Sequence, residues 1–98
     1  MLELNESNFD VETNHGLVLV DFYADWCGPC RLLAPVLEQL TDVKVVKVNT
    51  DDSPELATRH NVSAIPKLVF MRDGQVVDQM TGFVKLEVLQ NKVNALKD

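Results

Sequence analysis

The sequence predicts an α/β fold: one mixed β-sheet of about five strands flanked by helices on both faces. Three observations predict it. Apolar strand-like runs alternate with segments of helical period, which places crossover helices between parallel strands. One run, Leu17–Tyr23, is almost wholly apolar and rich in β-branched and aromatic residues, as a central strand covered on both faces must be. Two later runs flank a turn containing Asp73-Gly74, the mark of an antiparallel hairpin. With 98 residues there is room for a single domain, spanning 1–98.

The elements follow in order. A short strand near residues 2–4 and a short helix around 7–13 open the chain, and Gly16 precedes the Leu17–Tyr23 strand. From residue 29 to about residue 40, Leu33, Val36, Leu37 and Leu40 fall on one helical face. Pro35 inside that pattern predicts a kink. Residues 43–49 read as the next strand. Ser53-Pro54 pairs an N-cap residue with a proline at the first helical position and opens a short helix to about residue 60. Residues 67–71 and Gln75–Thr81 are the hairpin strands, and Leu86, Leu89, Val93 and Leu96 form the apolar stripe of a final helix. The predicted order is β-α-β-α-β-α-β-β-α.

Composition narrows the function. Hydrophobic residues make up 46% and charged residues 24%, as in an ordinary soluble domain. No run approaches the roughly 18 to 20 apolar residues of a membrane span. Met1-Leu2-Glu3-Leu4-Asn5-Glu6 lacks the basic patch and apolar stretch of a secretory signal, so a cytoplasmic location is expected. A net charge of −6 disfavours nucleic acid, which needs a basic surface, and reads as a source of solubility. Neither a membrane nor a nucleic-acid partner is expected. Two cysteines are too few for a disulfide-stapled scaffold. A Cys27–Cys30 bridge would close too small a loop to stabilise the fold much. A bridge of little structural use is a candidate for a chemical one.

Trp26-Cys27-Gly28-Pro29-Cys30 stands where the buried strand ends and the long helix begins. Residues three apart on a helix bring their Cβ atoms to about 5–6 Å, and a disulfide needs Cα atoms about 4.4–6.8 Å apart. The first helical turn also carries unpartnered N–H groups at the positive end of the macrodipole, which lowers the pKa of a thiol at Cys27. Cys27 is therefore expected to attack, and Cys30, more buried and less acidic, to resolve the mixed disulfide. Pro29, with no N–H and a fixed φ, suits the helix start. A Cys-x-x-Cys pair is also half of a zinc site, but His15 and His60 are not spaced as a second half, and no other such pair exists. No metal is expected. Inert buried thiols are the remaining alternative, disfavoured by the strand-to-helix placement.

This string resembles the active-site motif of the thioredoxin family. The resemblance continues through Val20-Asp21-Phe22-Tyr23-Ala24-Asp25, Ala34-Pro35, Lys47-Val48-Asn49 with Asp51, Ile65-Pro66, Asp73-Gly74 and Gly82, in the family's order and over nearly the whole chain. It implies the thioredoxin fold and a general protein-disulfide reductase, an electron carrier without a cofactor that acts by thiol–disulfide exchange. The partners implied are a thioredoxin reductase and disulfide-containing targets such as ribonucleotide reductase, peroxiredoxin and methionine sulfoxide reductase. A monomer is expected.

Residue roles carry over on the same terms. Read alone, Asp21 is a strand-end acid reaching solvent or bonding locally. The resemblance implies a buried carboxyl behind Cys30 that carries its proton, with Lys47 nearby. Lys47 alone is an exposed strand lysine. Pro66 alone marks a strand start or bend; the resemblance implies a cis peptide before it and a loop that pairs with substrate backbone. Trp26, Gly28, Pro29, Ala64, Ile65 and Gly82 then surround an apolar docking patch, with Trp26 shielding the dithiol. Ile65 is equally readable as core, His15 and His60 as surface or helix-end residues, and Met71 and Met80 as core filler. Two departures stand out. Lys67 replaces the threonine usual after the proline and is expected at the rim of the patch, where its charge acts on partner choice. The link from Leu40 to Val43 is also short. A thiol oxidase or isomerase on the same fold, and a binding module with incidental redox chemistry, are the competing functions. Gly-Pro between the cysteines favours the reductase.

Overall fold

A computed structural model describes residues 1–97. The strands are β1 (Leu2–Glu3), β2 (Leu17–Tyr23), β3 (Lys44–Asn49), β4 (Lys67–Arg72) and β5 (Gln75–Thr81). The helices are α1 (Phe9–Thr13), α2 (Gly28–Leu37), α3 (Pro54–Arg59) and α4 (Leu86–Leu96). The strands form one sheet in the order β1-β3-β2-β4-β5. β1, β3 and β2 run parallel, while β4 is antiparallel to β2 and β5 to β4. The expected α/β architecture and element order are both present.

The period of two along β2 divides the core. Val18, Val20 and Phe22 join Val46, Val48, Val69 and Met71 on one face and meet Phe9 of α1 and Leu56 of α3. Leu19 joins Leu68 and Phe70 on the other and meets Leu33 and Leu37 of α2 and Leu89 and Val93 of α4. Asp21 continues the Leu19 side by alternation, so the one acid of the central strand points toward α2. The hairpin turn has positive φ at both Asp73 (51°) and Gly74 (84°), as a two-residue turn between twisted strands requires. The Asp73 carboxylate accepts from Gly16 N–H at 2.8 Å, tying this turn to the start of β2.

Some boundaries differ from the sequence reading. α2 ends at Leu37 rather than near residue 40. The N–H groups of Gln39 and Leu40 reach back only three residues, to Val36 and Leu37. Leu40 still packs against the α2–α4 core, which is why its spacing looked helical. Pro35 lies within α2 and leaves the Arg31 carbonyl without its usual donor. Ser53 occupies the N-cap of α3, but its buried side chain makes no capping hydrogen bond.

His60 follows α3 as expected, yet its ring turns inward between Phe9 and Phe22, with centroids 5.2 and 5.4 Å away. Its Nε2 is buried without a hydrogen-bond partner among the described residues. Burial, then the charges of Arg59 and Lys67, holds the imidazole below its ordinary 6.5, against an opposing pull from Asp10. Folding thus favours the neutral ring. That stability is fully present above pH 6.5 and is lost as pH falls below it. Replacing His60 by Phe is expected to flatten this response. Urea unfolding at about pH 7 and about pH 5 should show the variant losing less stability than the parent across the interval. Equal losses would remove His60 from the acid response.

Candidate active site

Cys27 and Cys30 are joined in a disulfide, their Cα atoms 5.3 Å apart. Cys27 is the N-cap of α2, with extended backbone (φ −89°, ψ 110°), and its Sγ accepts from Cys30 N–H at 3.2 Å. Gly28 and Pro29 fill the first two helical positions. The sulfur of Cys27 therefore sits against the orphan N–H groups and positive end of α2, where charge on a thiolate is favoured. The expected contrast in burial is absent. Cys27 is 5% exposed and Cys30 4%, because the bridge holds both sulfurs against Ala24, Tyr23 and Ile65.

Behind the dithiol, Asp21, Tyr23, Cys30, Ala34 and Lys47 line a cavity of about 170 Å³. Asp21 is 2% exposed, and its Oδ1 has no hydrogen-bond partner among the described residues. It neither reaches solvent nor bonds locally at that oxygen. Burial pushes its carboxyl up to about 7, with Lys47 opposing. Lys47 stands beside Asp21 in the β2–β3 register, and its ammonium lies 5.4 Å from the centre of the Tyr23 ring. No ion pair joins Lys47 to Asp21 among the described residues. Tyr23 donates from its hydroxyl to both Glu3 oxygens at 2.8 Å, and burial with these acceptors raises the phenol's pKa. Glu3 thus fixes the ring on which Lys47 rests.

In front of the dithiol, Trp26, Thr50, Val62, Ser63, Ala64 and Ile65 line an open groove. The Ile65–Pro66 peptide is cis. Gly82, at φ 91°, donates its N–H to the Pro66 carbonyl at 2.8 Å. Ile65 packs on the cysteines rather than in the general core. Trp26 is 69% exposed and lines the groove, its Nε1 donating to Asp51 at 2.9 Å. Lys67 is not at the rim. Its alternation with Val69 and Met71 turns it to the α1–α3 face, where Nζ donates to the His60 carbonyl at 2.8 Å and to that of Asn61 at 3.4 Å.

Sequence reasoning named Asp51 only within the resemblance and missed its tie to Trp26, as it missed Glu3, the aromatic seat of Lys47, and Thr50, Val62 and Ser63 of the groove. Asp51 carried one usable signal. It lies two residues past the end of β3, and the ends of parallel strands are where α/β sheets gather their sites. Among the described residues no three His, Cys, Asp or Glu side chains come together as metal ligands.

The thioredoxin family model matches residues 1–95 of the chain. A thioredoxin of Bacillus subtilis (strain 168) is 41% identical over 99 aligned positions, covering 96% of this chain and 95% of that protein. Thioredoxin 1 of Synechococcus elongatus is 46% identical over 82 positions, covering 79% and 77%. Among solved structures, a point mutant of a thioredoxin from Halobacterium salinarum superposes with a TM-score of 0.91 at 34% identity, covering 99% of this chain and 90% of that one.

The buried carboxyl has a measurable consequence. Folding raises its pKa from 3.8 to about 7, so the native protein holds a proton that the unfolded chain releases. This contribution is fully present below pH 3.8 and is lost as pH rises through about 7. Replacing Asp21 by Asn is expected to stabilise the protein above neutrality by up to about 4 kcal/mol, at about 1.36 kcal/mol per pH unit between the two values. The gain should vanish toward about pH 4. Denaturant titration across that range checks it, and a gain independent of pH would rule out the titrating carboxyl as its source.

Proposed function

The chain belongs to the thioredoxin family, and from that premise we propose that it reduces disulfides in other proteins with the Cys27–Cys30 dithiol and is re-reduced by a thioredoxin reductase. The observation that supports this most is the bridge itself. A disulfide capping α2 packs on Ile65, which lines an open groove, and shares a cavity with a buried carboxyl whose pKa is raised to about 7.

The chemistry balances with this chain's own groups. In the reduced protein the Cys27 thiolate, favoured by the helix terminus, attacks one sulfur of a target disulfide, and the other target sulfur leaves as a thiolate. Cys30 loses its proton to the Asp21 carboxylate across the shared cavity. The Cys30 thiolate then attacks Cys27 Sγ and expels the second target thiolate. The target gains two electrons and this chain keeps the Cys27–Cys30 disulfide. Asp21 is left protonated, the form that its burial favours in the bridged state. Lys47 opposes that shift and keeps the carboxyl within reach of titration near neutrality.

The groove suits an extended target segment. The N–H groups of Ser63, Ala64 and Ile65 donate no hydrogen bond within the described residues, so a target strand can pair with them, as in β-strand addition. Trp26, Gly28, Pro29, Ala64, Ile65, Pro66 and Gly82 surround this docking region in our reading. A cytoplasmic location fits, because that compartment keeps dithiols reduced. Among the described residues no helix is long and apolar enough to cross a membrane.

Insulin reduction by dithiothreitol tests the proposal. The chain is expected to accelerate it, Cys27→Ser to abolish the acceleration, and Cys30→Ser to trap a mixed disulfide on Cys27. Equilibration with glutathione buffers should place the pair as more reducing than glutathione. A more oxidising pair would make the protein an oxidase.

A further inference from the structure

The groove-forming segment between α3 and β4 is held at both ends. At the α3 end, Asn61 adopts φ 54°, its N–H donates to Thr58 and that of Val62 to Ala57, which closes the helix in a Schellman arrangement. At the β4 end, Lys67 pairs with Phe22 of β2 and Thr81 of β5, and Pro66 accepts from Gly82. Between them, the N–H groups of residues 63–65 form no internal hydrogen bond among the described residues. Lys67 spans this gap. Its ammonium, carried by the first residue of β4, reaches back to the His60 and Asn61 carbonyls at the negative end of α3. Among the described residues these are the only side-chain hydrogen bonds linking the two ends of the loop.

The geometry points to Lys67 as a positioning residue that holds the 62–66 loop in its groove-forming shape, so that a protein target docks on a preformed edge. This rests on the reductase reading. Lys67 touches neither the dithiol nor the groove lining; it acts through the carbonyls it holds. Its stem lies on the α1–α3 face, so a target seated in the groove does not meet its charge. A flexible loop would bear an ordering cost each time a target paired with it, and the tie removes that cost beforehand.

Lys67→Met keeps the aliphatic stem and removes the donor; Lys67→Arg keeps a donor of similar reach. With insulin as substrate, Lys67→Met is expected to raise KM roughly 5-fold with kcat little changed, the size expected for losing a charge-assisted hydrogen bond on a half-exposed group. With 5,5′-dithiobis(2-nitrobenzoic acid), a small disulfide that needs no strand pairing, its rate should match the parent. Lys67→Arg should restore the insulin KM. Independently of activity, amide exchange at Val62 and Gly82 should quicken in Lys67→Met while β2 amides stay unchanged. An unaltered insulin KM, an equal loss on both substrates, or unchanged exchange at both amides would overturn the positioning role. A parent protein inactive on both disulfides would instead bring down the reductase reading, and the exchange result would still decide whether Lys67 holds the loop.

Discussion

Asp21 stands in the middle of the sheet, on the face of β2 that also carries Leu17, Leu19 and Tyr23, and lines a cavity with Cys30. An ionised carboxylate there is costly, since its charge has lost water and gained no ion pair. The protein meets this constraint with a proton rather than with a partner. Much of the surrounding architecture follows from it. β2 must be central to bury the acid, α2 must start where it does to place Cys30 over it, and Lys47 must stay near without closing on it. Stability is given up at neutral pH by keeping a titratable acid beside the disulfide.

The opposite face of the sheet carries the converse case. His60, between Phe9 and Phe22, is also kept neutral by burial, but a base stays neutral by lacking a proton. The two groups therefore bend the stability curve in opposite directions, His60 penalising acid and Asp21 penalising alkali. Their roles differ with their surroundings. Asp21 lines a cavity shared with a sulfur, whereas the His60 ring lies beside Phe9 and Phe22 and its carbonyl is bound by Lys67.

The site itself is made of termini. Cys27 caps the start of α2, Asp51 follows the end of β3, and the groove loop joins the end of α3 to the start of β4. Such segments lack ladders of their own and are positioned by a few long-range ties. Trp26 is held by Asp51, Tyr23 by Glu3, Pro66 by Gly82 and the His60 and Asn61 carbonyls just past α3 by Lys67. A rigid sheet thus presents a set of small, individually fastened pieces around the bridge.

The sequence by itself determined what depends on neighbours within a helical turn or a strand's alternation. Leu17–Tyr23, the Asp73-Gly74 hairpin, Gln75–Thr81 and the placement of Cys27 and Cys30 at a helix start were all legible, because period, turn chemistry and capping are local. Family resemblance added Asp21, Lys47 and Pro66 as candidates, with the burial of the acid and the cis peptide, but not the Tyr23 ring that seats Lys47 or the Gly82 hydrogen bond to Pro66. Tertiary structure decided the rest. Which face of β4 Lys67 occupies depends on pairing with β2 and β5, so its charge could be placed at the groove rim or at the carbonyls past α3 only once the register was known. The same holds for Trp26 and Asp51, for Glu3 and Tyr23, and for His60 between two phenylalanines from different elements. Partners brought together by folding leave no periodic trace, because their separation in sequence is set by the path of the chain and not by the geometry of any one element.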